Sequence, residues 1–244
     1  MSLIRIERKY IICFEQYLQL KPLIASLLSR DKYLSNKKIK YPVLSQYFDT
    51  KNFEFYNDKI NGEFEHIKFR LRSYSDNLAD SGFLEIKHKI TNKQRKYRFK
   101  VDPHQVVENN FFNNEDLLCK LPSQLCFMLL SHQLHPSALV YYEREAFEEL
   151  VQQHNNALRL RVTFDYNIKA KMDISSEKWT SVLKTLGLDS SFVLMEIKYD
   201  REDYPLFLSE IVKSFNLEEI SFSKYALAIR SLYQDNFHLK GYDY

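Results

Sequence analysis

The chain has 244 residues, 45 % of them apolar, so it can build a real core as one large domain or two small ones and is not disordered. It holds only four glycines, and neither G-x-G-x-x-G nor G-x-x-x-x-G-K-[ST] occurs, which excludes P-loop and Rossmann nucleotide sites. A net charge of +3 lacks the surplus of a nucleic-acid binder, so any basic site must be local.

Cys13, Cys119 and Cys126 show no C-x-x-C spacing and read as buried free thiols in a reducing compartment. The longest apolar runs, such as Cys126-Phe-Met-Leu-Leu130, are far too short to span a bilayer, and the first residues are not a signal peptide. No transmembrane segment is expected, and the cytoplasm is the expected location.

Leu3–Phe14 reads as a strand with Arg5, Glu7 and Lys9 on one face and Ile4, Ile6 and Tyr10 on the other. Glu15–Ser29 switches to helical spacing, with Leu18, Leu23, Ile24, Leu27 and Leu28 as the apolar stripe and a start expected near Pro22. Arg30–Lys40 reads as a solvated loop. Val43–Asp49 and Phe53–Asn57 predict a short hairpin. Phe64–Tyr74 is a long strand whose even positions His66, Lys68, Arg70 and Arg72 share a face. Gly82–Ile90 follows, then a tight turn at Thr91-Asn-Lys93, then Arg95–Val101 with Lys96, Arg98 and Lys100 on one face. Asp102–Leu134 is helix-like, with Glu115 and Asp116 early in one helix, Pro122 opening another and Pro136 ending the region. Strands are predicted over Ala138–Glu149 and Ala157–Asp165, with Tyr166–Ile174 extending or pairing with the second. Ser175–Leu188 is an insertion carrying the only tryptophan, Trp179. Phe192–Asp200 is the last strong strand, and Pro205–Phe215 and Ser223–Tyr233 are helices. No low-complexity linker divides residues 1–244. The expectation is a single α+β domain, a closed or nearly closed antiparallel barrel with helices packed outside.

The charged faces carry the functional argument. They hold Glu7 and Lys9; Arg70 and Arg72; Glu85, Lys87 and Lys89; Lys96 and Arg98; Arg144; Arg159 and Arg161; Glu196 and Lys198. The plainer alternative is the wet outer face of a sandwich. Against it stands the richness in Arg, the residue suited to two-point phosphate contacts, on strands spread along most of the chain. About ten cations converging at low dielectric repel strongly, and a polyanion relieves that repulsion. The ligand class is therefore a triphosphate or longer.

A glutamate among such cations can hold Mg²⁺ or Mn²⁺, which take hard oxygen ligands. For Glu7 and Glu85 the plainer role is ion pairing with a neighbouring Lys. Ser221 or Ser223 can cap the final helix, with Lys224 in its first turn, where a cation makes sense if an anion sits there. His132-x-x-His135 reads as structural, and no Ser/His/Asp or Cys/His nucleophile set is present.

The ordered words Glu-Arg-Lys-Tyr (7–10), Tyr-Phe-Asp-Thr (47–50), Lys-Phe-Arg-Leu-Arg-Ser-Tyr (68–74), Leu-Glu-Ile-Lys (84–87), Tyr-Glu-Arg-Glu-Ala-Phe (142–147), Arg-Val-Thr-Phe-Asp (161–165), Met-Glu-Ile-Lys (195–198) and Ser-Lys-Tyr (223–225) resemble the polyphosphate polymerase domain of the vacuolar transporter chaperone (VTC) family, among the triphosphate tunnel metalloenzymes. The resemblance implies a closed tunnel of eight antiparallel strands. It implies transfer of the ATP γ-phosphate to a growing inorganic polyphosphate chain, with a divalent metal, preferably manganese. Carried over by motif, Lys9, Arg70, Arg72, Lys87, Arg144, Arg161, Lys198 and Lys224 grip phosphates, Glu196 binds metal, and Lys96 or Arg98 supplies the cation of the following strand. Glu7, Glu85, Lys89, Arg159 and Ser223 are secondary positions. The sister CYTH hydrolases begin Glu-x-Glu-x-Lys. Arg5 stands in place of the first Glu, which weakens a triphosphatase reading. That hydrolase, which needs Glu7 or Glu85 to activate water, and a non-catalytic polyphosphate or nucleotide sensor are the competing expectations. Protein partners are left open.

Overall fold

The structure is a computed structural model, and it describes residues 5–31, 39–78, 82–91, 93–101, 118–153, 156–172, 178–189, 191–200 and 205–233. The elements, in order, are β1 (Arg5–Ile12), α1 (Phe14–Leu27), β2 (Ser29–Arg30), β3 (Tyr41–Asp49), α2 (Glu54–Asn61), β4 (Glu65–Ser73), β5 (Gly82–Ile90), β6 (Lys93–Val101), α3 (Ser123–Ser131), β7 (His135–Gln153), β8 (Asn156–Lys171), β9 (Thr180–Ser181), a 3₁₀ turn (Val182–Leu186), β10 (Val193–Asp200), α4 (Leu206–Ser214) and α5 (Lys224–Tyr233). No helix among the described residues is long and apolar enough to cross a membrane.

The chain divides into two compact units. Unit 1 takes Met1–Tyr41, Tyr142–Ile168 and Leu186–Phe222, and unit 2 takes Pro42–Tyr141, Lys169–Thr185 and Ser223–Tyr244. In unit 1 the strands run β1, β10, β8, β7, with β2 on β7. The period-two pattern sends Tyr10, Ile12, Val162, Phe164, Met195 and Ile197 to one face, where Tyr17, Leu20 and Ile24 of α1 and Leu208 of α4 close a core. Lys9, Glu196, Lys198, Arg161 and Thr163 take the opposite face. The segment before α5 lies along β1: the Ile220 N–H donates to the Lys9 carbonyl at 2.9 Å, and Lys9 Nζ donates to the Phe222 carbonyl at 2.7 Å.

In unit 2 the strands run from the start of β7 through β3, β4, β5 and β6, and β9 pairs with the end of β8. Leu44, Phe48, Ile67, Phe69, Leu71, Leu84 and Ile86 point to the core, where Phe55 of α2 and Leu125 and Leu129 of α3 cover them. Each such side chain, once buried, contributes about 1.5–3 kcal/mol.

Several expectations are corrected. Among the described residues the sheet is antiparallel with helices, but it has ten strands rather than eight, and its hydrogen-bonded order has two ends, β1 and β6, rather than closing. The hairpin expected from Val43–Asp49 and Phe53–Asn57 is instead strand β3 followed by helix α2. The Asp49 carboxylate accepts the N–H groups of Thr50, Phe55 and Tyr56 at 2.7, 2.9 and 3.0 Å, and the Thr50 hydroxyl accepts that of Glu54 at 3.1 Å, so α2 starts on caps that a strand would not use. Helix α1 begins at Phe14 and contains Pro22 in its interior. Tyr17, Leu20, Ile24 and the following Leu28 are buried, whereas Leu18, Leu23 and Leu27 are exposed. Pro136 lies at the start of β7, where a missing ladder donor is tolerated, and does not end a helix there. β8 continues to Lys171 as one strand. The thiols are unpaired but not buried: Cys119 is exposed, and Cys13 and Cys126 are half-buried. The expected helix at Glu115 and Asp116 and most of the Arg30–Lys40 loop fall outside the described residues.

Candidate phosphate-binding site

The polar faces of β3 to β6 in unit 2 align as cross-strand rows. One reads Tyr47, Arg70, Glu85, Arg98. The next reads Lys68, Lys87, Lys96, and beyond it His66 stands opposite Lys89. Arg72 stands opposite Ser45 and Phe83.

Glu85, whose side chain is 2 % exposed, is where the cations converge. Arg70 reaches Oε2 at 2.7 and 2.9 Å and Arg72 at 3.5 Å, while Lys96 and Arg98 approach Oε1 at 2.7 and 3.4 Å. Both Lys96 and Arg98 therefore face the cluster. Burial alone would raise the Glu85 carboxyl, but Arg70, Arg72 and Lys96 outweigh it and hold it far below the usual carboxylate range. Lys96 is itself held low, by burial first and then by Arg70 and Arg72 acting against Glu85. One carboxylate among four cations leaves a surplus, and three lysines opposite one another in the next row add like-charge repulsion. Arg72 and Arg70 are turned out of water, 9 % and 20 % exposed, whereas Lys96 and Arg98 reach Glu85 from the solvent side, 47 % and 38 % exposed.

The Tyr47 hydroxyl accepts from Arg70 at 3.0 Å. Burial would raise its phenol, but Arg70, Arg72 and Lys224 turn the shift downward. The Tyr47 ring stacks on Tyr225 at 4.9 Å, and the Tyr225 hydroxyl donates to Asp49. Ser223 is the cap of α5: its hydroxyl accepts the Ala226 N–H at 3.3 Å and Lys68 Nζ at 3.0 Å. Lys224, in the first turn, is thus brought within electrostatic reach of Tyr47. Two ammonium groups at the positive end of a helix favour an anion there.

Unit 1 holds a different, balanced cluster. Lys9 lies opposite Glu196, and Glu7 opposite Lys198. Lys198 Nζ is 2.8 Å from Glu196 and 3.8 Å from Glu7, and Lys9 Nζ is 3.0 Å from Glu7. Arg144 makes a two-point pair with Asp165 at 2.6 and 2.7 Å and lies 3.5 Å from Glu196. Arg161 donates to Asp31 and, at 3.1 Å, to the Tyr41 hydroxyl, with Glu148 at 3.6 Å. Arg159 is in β8, and its side chain lies outside the described set.

Among the described residues no group of three His, Cys, Asp or Glu is arranged to hold an ion unaided. Mg²⁺ and Mn²⁺, however, commonly take one or two carboxylates and complete their shell with phosphate oxygens and water. Glu196 and Glu7 share the Lys198 ammonium, and directly opposite Glu196 stands the Thr163 hydroxyl, buried and without a hydrogen-bond partner among the described residues. This hard-oxygen set fits such a metal.

The sequence matches the family model of the VTC domain over residues 4–233. The chain belongs to the VTC domain family. Among curated proteins none matches. Two solved structures are similar to the chain. One, from Bacillus halodurans and assigned provisionally as an adenylate cyclase, has a TM-score of 0.47 and 13 % identity over 91 % of this chain and 94 % of that one. Another with the same provisional assignment, from Vibrio parahaemolyticus, has a TM-score of 0.46 and 11 % identity over 93 % of this chain and 98 % of that one.

In this VTC domain, five participants are not marked as functional by the sequence alone. Lys68 shares the face of Arg70 and Arg72, Thr163 and Asp165 share that of Arg161, and Tyr47 lies on the face of β3 opposite Leu44 and Phe48, but alternation by itself gives none of them a role. Asp31, which is buried, sits at the edge of a polar run with no periodicity to mark it.

Proposed function

We propose that this VTC domain is an ATP–polyphosphate phosphotransferase, which moves the γ-phosphate of ATP onto the end of a growing inorganic polyphosphate chain. The observation that carries the reading is the convergence of Arg70, Arg72, Lys96 and Arg98 on the single buried carboxylate of Glu85. Such a surplus of cations is stabilised by an anion with several charges, and family membership points the same way.

In unit 2, Arg70, Arg72, Lys87, Lys96, Arg98 and Lys224 grip phosphate oxygens, with Ser223 and Lys89 beside them. In unit 1, Lys9 and Lys198 are phosphate cations. Arg144 and Arg161 are cations for which phosphate competes with Asp165 and Asp31. Glu196, with Glu7 and the Thr163 hydroxyl, would hold Mn²⁺ or Mg²⁺, which when bound neutralises charge on phosphate oxygens.

The acceptor is a terminal phosphate oxygen, anionic already, so the reaction needs no protein base. That oxygen bonds to the γ-phosphorus as the bond from the γ-phosphorus to the β–γ bridging oxygen breaks, and ADP leaves with the electron pair. Catalysis is alignment plus neutralisation of the three equatorial oxygens. A hydrolase must activate water, and Glu85 is a poor base for it because four cations hold its carboxylate ionised. The unpaired thiols are compatible with the reducing cytoplasm, where we place the protein.

The test is incubation of purified protein with γ-labelled ATP and Mn²⁺, followed by separation of products by size. Labelled chains longer than the nucleotide support the proposal. Orthophosphate alone indicates a triphosphatase, and tight binding without turnover indicates a sensor; either result sinks the polymerase reading.

A further inference from the structure

The cation face of unit 2 continues past the Glu85 cluster. On β4 the positions Arg72, Arg70, Lys68 and His66 share one face and head four successive cross-strand rows. From Arg72 to His66 the strand advances about 20 Å at ~3.4 Å per residue. A triphosphate has three phosphorus atoms joined by two bridging oxygens and covers two adjacent rows at most. Glu85 partly balances the Arg70 row and, through its 2.7 Å contact with Lys96, reaches into the next row, where β4, β5 and β6 place the three lysines Lys68, Lys87 and Lys96 side by side. Glu65 is turned to the other face, where it pairs with His88 at 2.6 Å.

His66 ends the track. Its Nδ1 is buried and has no hydrogen-bond partner among the described residues, and its ring stands opposite Lys89. We propose that His66, Lys68 and Lys89 extend the phosphate track beyond the reach of a triphosphate, so that this end of the face selects long inorganic polyphosphate over tripolyphosphate. The inference rests on the function proposed above and names the part of the site that reads chain length.

The surroundings of His66 give the selection a pH dependence. Burial first, then Lys68 on β4, Lys89 on β5 and Lys59 on α2, hold the imidazole below its ordinary range, against the pull of the Glu63 backbone. A phosphate beside the ring reverses the sign of that field and raises the imidazole. Binding of a long chain therefore takes up a proton, and affinity for it rises as pH falls through the bound-state value. Tripolyphosphate, held at the rows before His66, lacks this increment.

The experiment is calorimetry of the full chain with two probes, tripolyphosphate and long-chain inorganic polyphosphate, between pH 5.5 and 8. The variants are His66→Gln and Lys89→Met. The readout is the affinity ratio of the two probes, in which a general loss of folded protein cancels, and comparing His66→Gln with Lys89→Met separates the imidazole from a simple loss of charge. The wild type is expected to favour the long chain increasingly at lower pH. Either substitution is expected to cut the ratio about tenfold, ~1.4 kcal/mol, and His66→Gln to flatten its pH profile. A ratio unchanged by both variants, or an equal loss for both probes, overturns the extension while leaving the phosphotransferase reading intact. A wild type that binds neither probe overturns both.

Discussion

Arg144 and Asp165 meet through two parallel hydrogen bonds, 2.6 and 2.7 Å, with the carboxylate fully buried and the guanidinium nearly so. Removing one partner strands a buried charge. Arg144→Met is expected to lower stability in urea by about 3–5 kcal/mol. Arg144→Met with Asp165→Leu should recover most of that loss, because two apolar groups then replace the pair. A double variant no more stable than the single one would show that Arg144 acts elsewhere, for instance through Glu196 at 3.5 Å.

Glu85 sets a second expectation. Its folded-state carboxyl lies far below the unfolded value, ~4.3, because of the arginines and Lys96 around it. It therefore contributes stability above that unfolded value and loses it as pH falls toward the folded one. Glu85→Gln should destabilise at pH 7 by about 1–3 kcal/mol, the partners Lys96 and Arg98 being substantially exposed. The deficit should shrink toward pH 3. The same variant leaves four cations without their carboxylate, so tripolyphosphate should raise its melting temperature more than that of the wild type. Thermal melts with and without tripolyphosphate check both halves; an equal ligand shift in the two proteins contradicts the phosphate role of this cluster.

Strands β4, β5 and β10 were legible because each alternates charge and Leu, Ile, Phe or Met at period two, and that pattern also fixes which residues share a face. Helix α2 was not, because Phe53-Glu-Phe-Tyr56 has strand-forming residues. What makes it helical is the Asp49 carboxylate, whose bonds to the Thr50, Phe55 and Tyr56 amides appear only once the chain has turned. The cations of the site were legible from composition and spacing. Their carboxylate partners were less so: the Arg161 pairing with Asp31 joins residues 130 positions apart, and no local pattern encodes it.

Tyr47 offers a spectroscopic report. Its phenol is shifted below the ordinary value near 10, with burial opposing and Arg70, Arg72 and Lys224 prevailing. A polyanion among those cations cancels their field. Tyrosinate absorbance, taken as wild type minus Tyr47→Phe, should show an early titration that moves to higher pH when tripolyphosphate is added. A phase that does not move places the phosphate away from Arg70.

Glu196 is the residue on which the metal reading turns. It lies between Lys198 at 2.8 Å and Arg144 at 3.5 Å, opposite the buried Thr163 hydroxyl. Replacing it by Gln keeps the shape but removes the charge a divalent ion needs. Glu196→Gln should therefore raise the Mn²⁺ concentration for half-maximal chain synthesis by about tenfold or more, as loss of a metal-site group typically does. Binding of tripolyphosphate without metal should hold or tighten, because two nearby cations lose their competitor. Thr163→Val should shift the metal requirement in the same direction by a smaller factor. If Glu196→Gln lowers phosphate binding in metal-free buffer and leaves the Mn²⁺ requirement unchanged, the carboxylate is an ion-pair partner for Lys198 and the metal is held elsewhere.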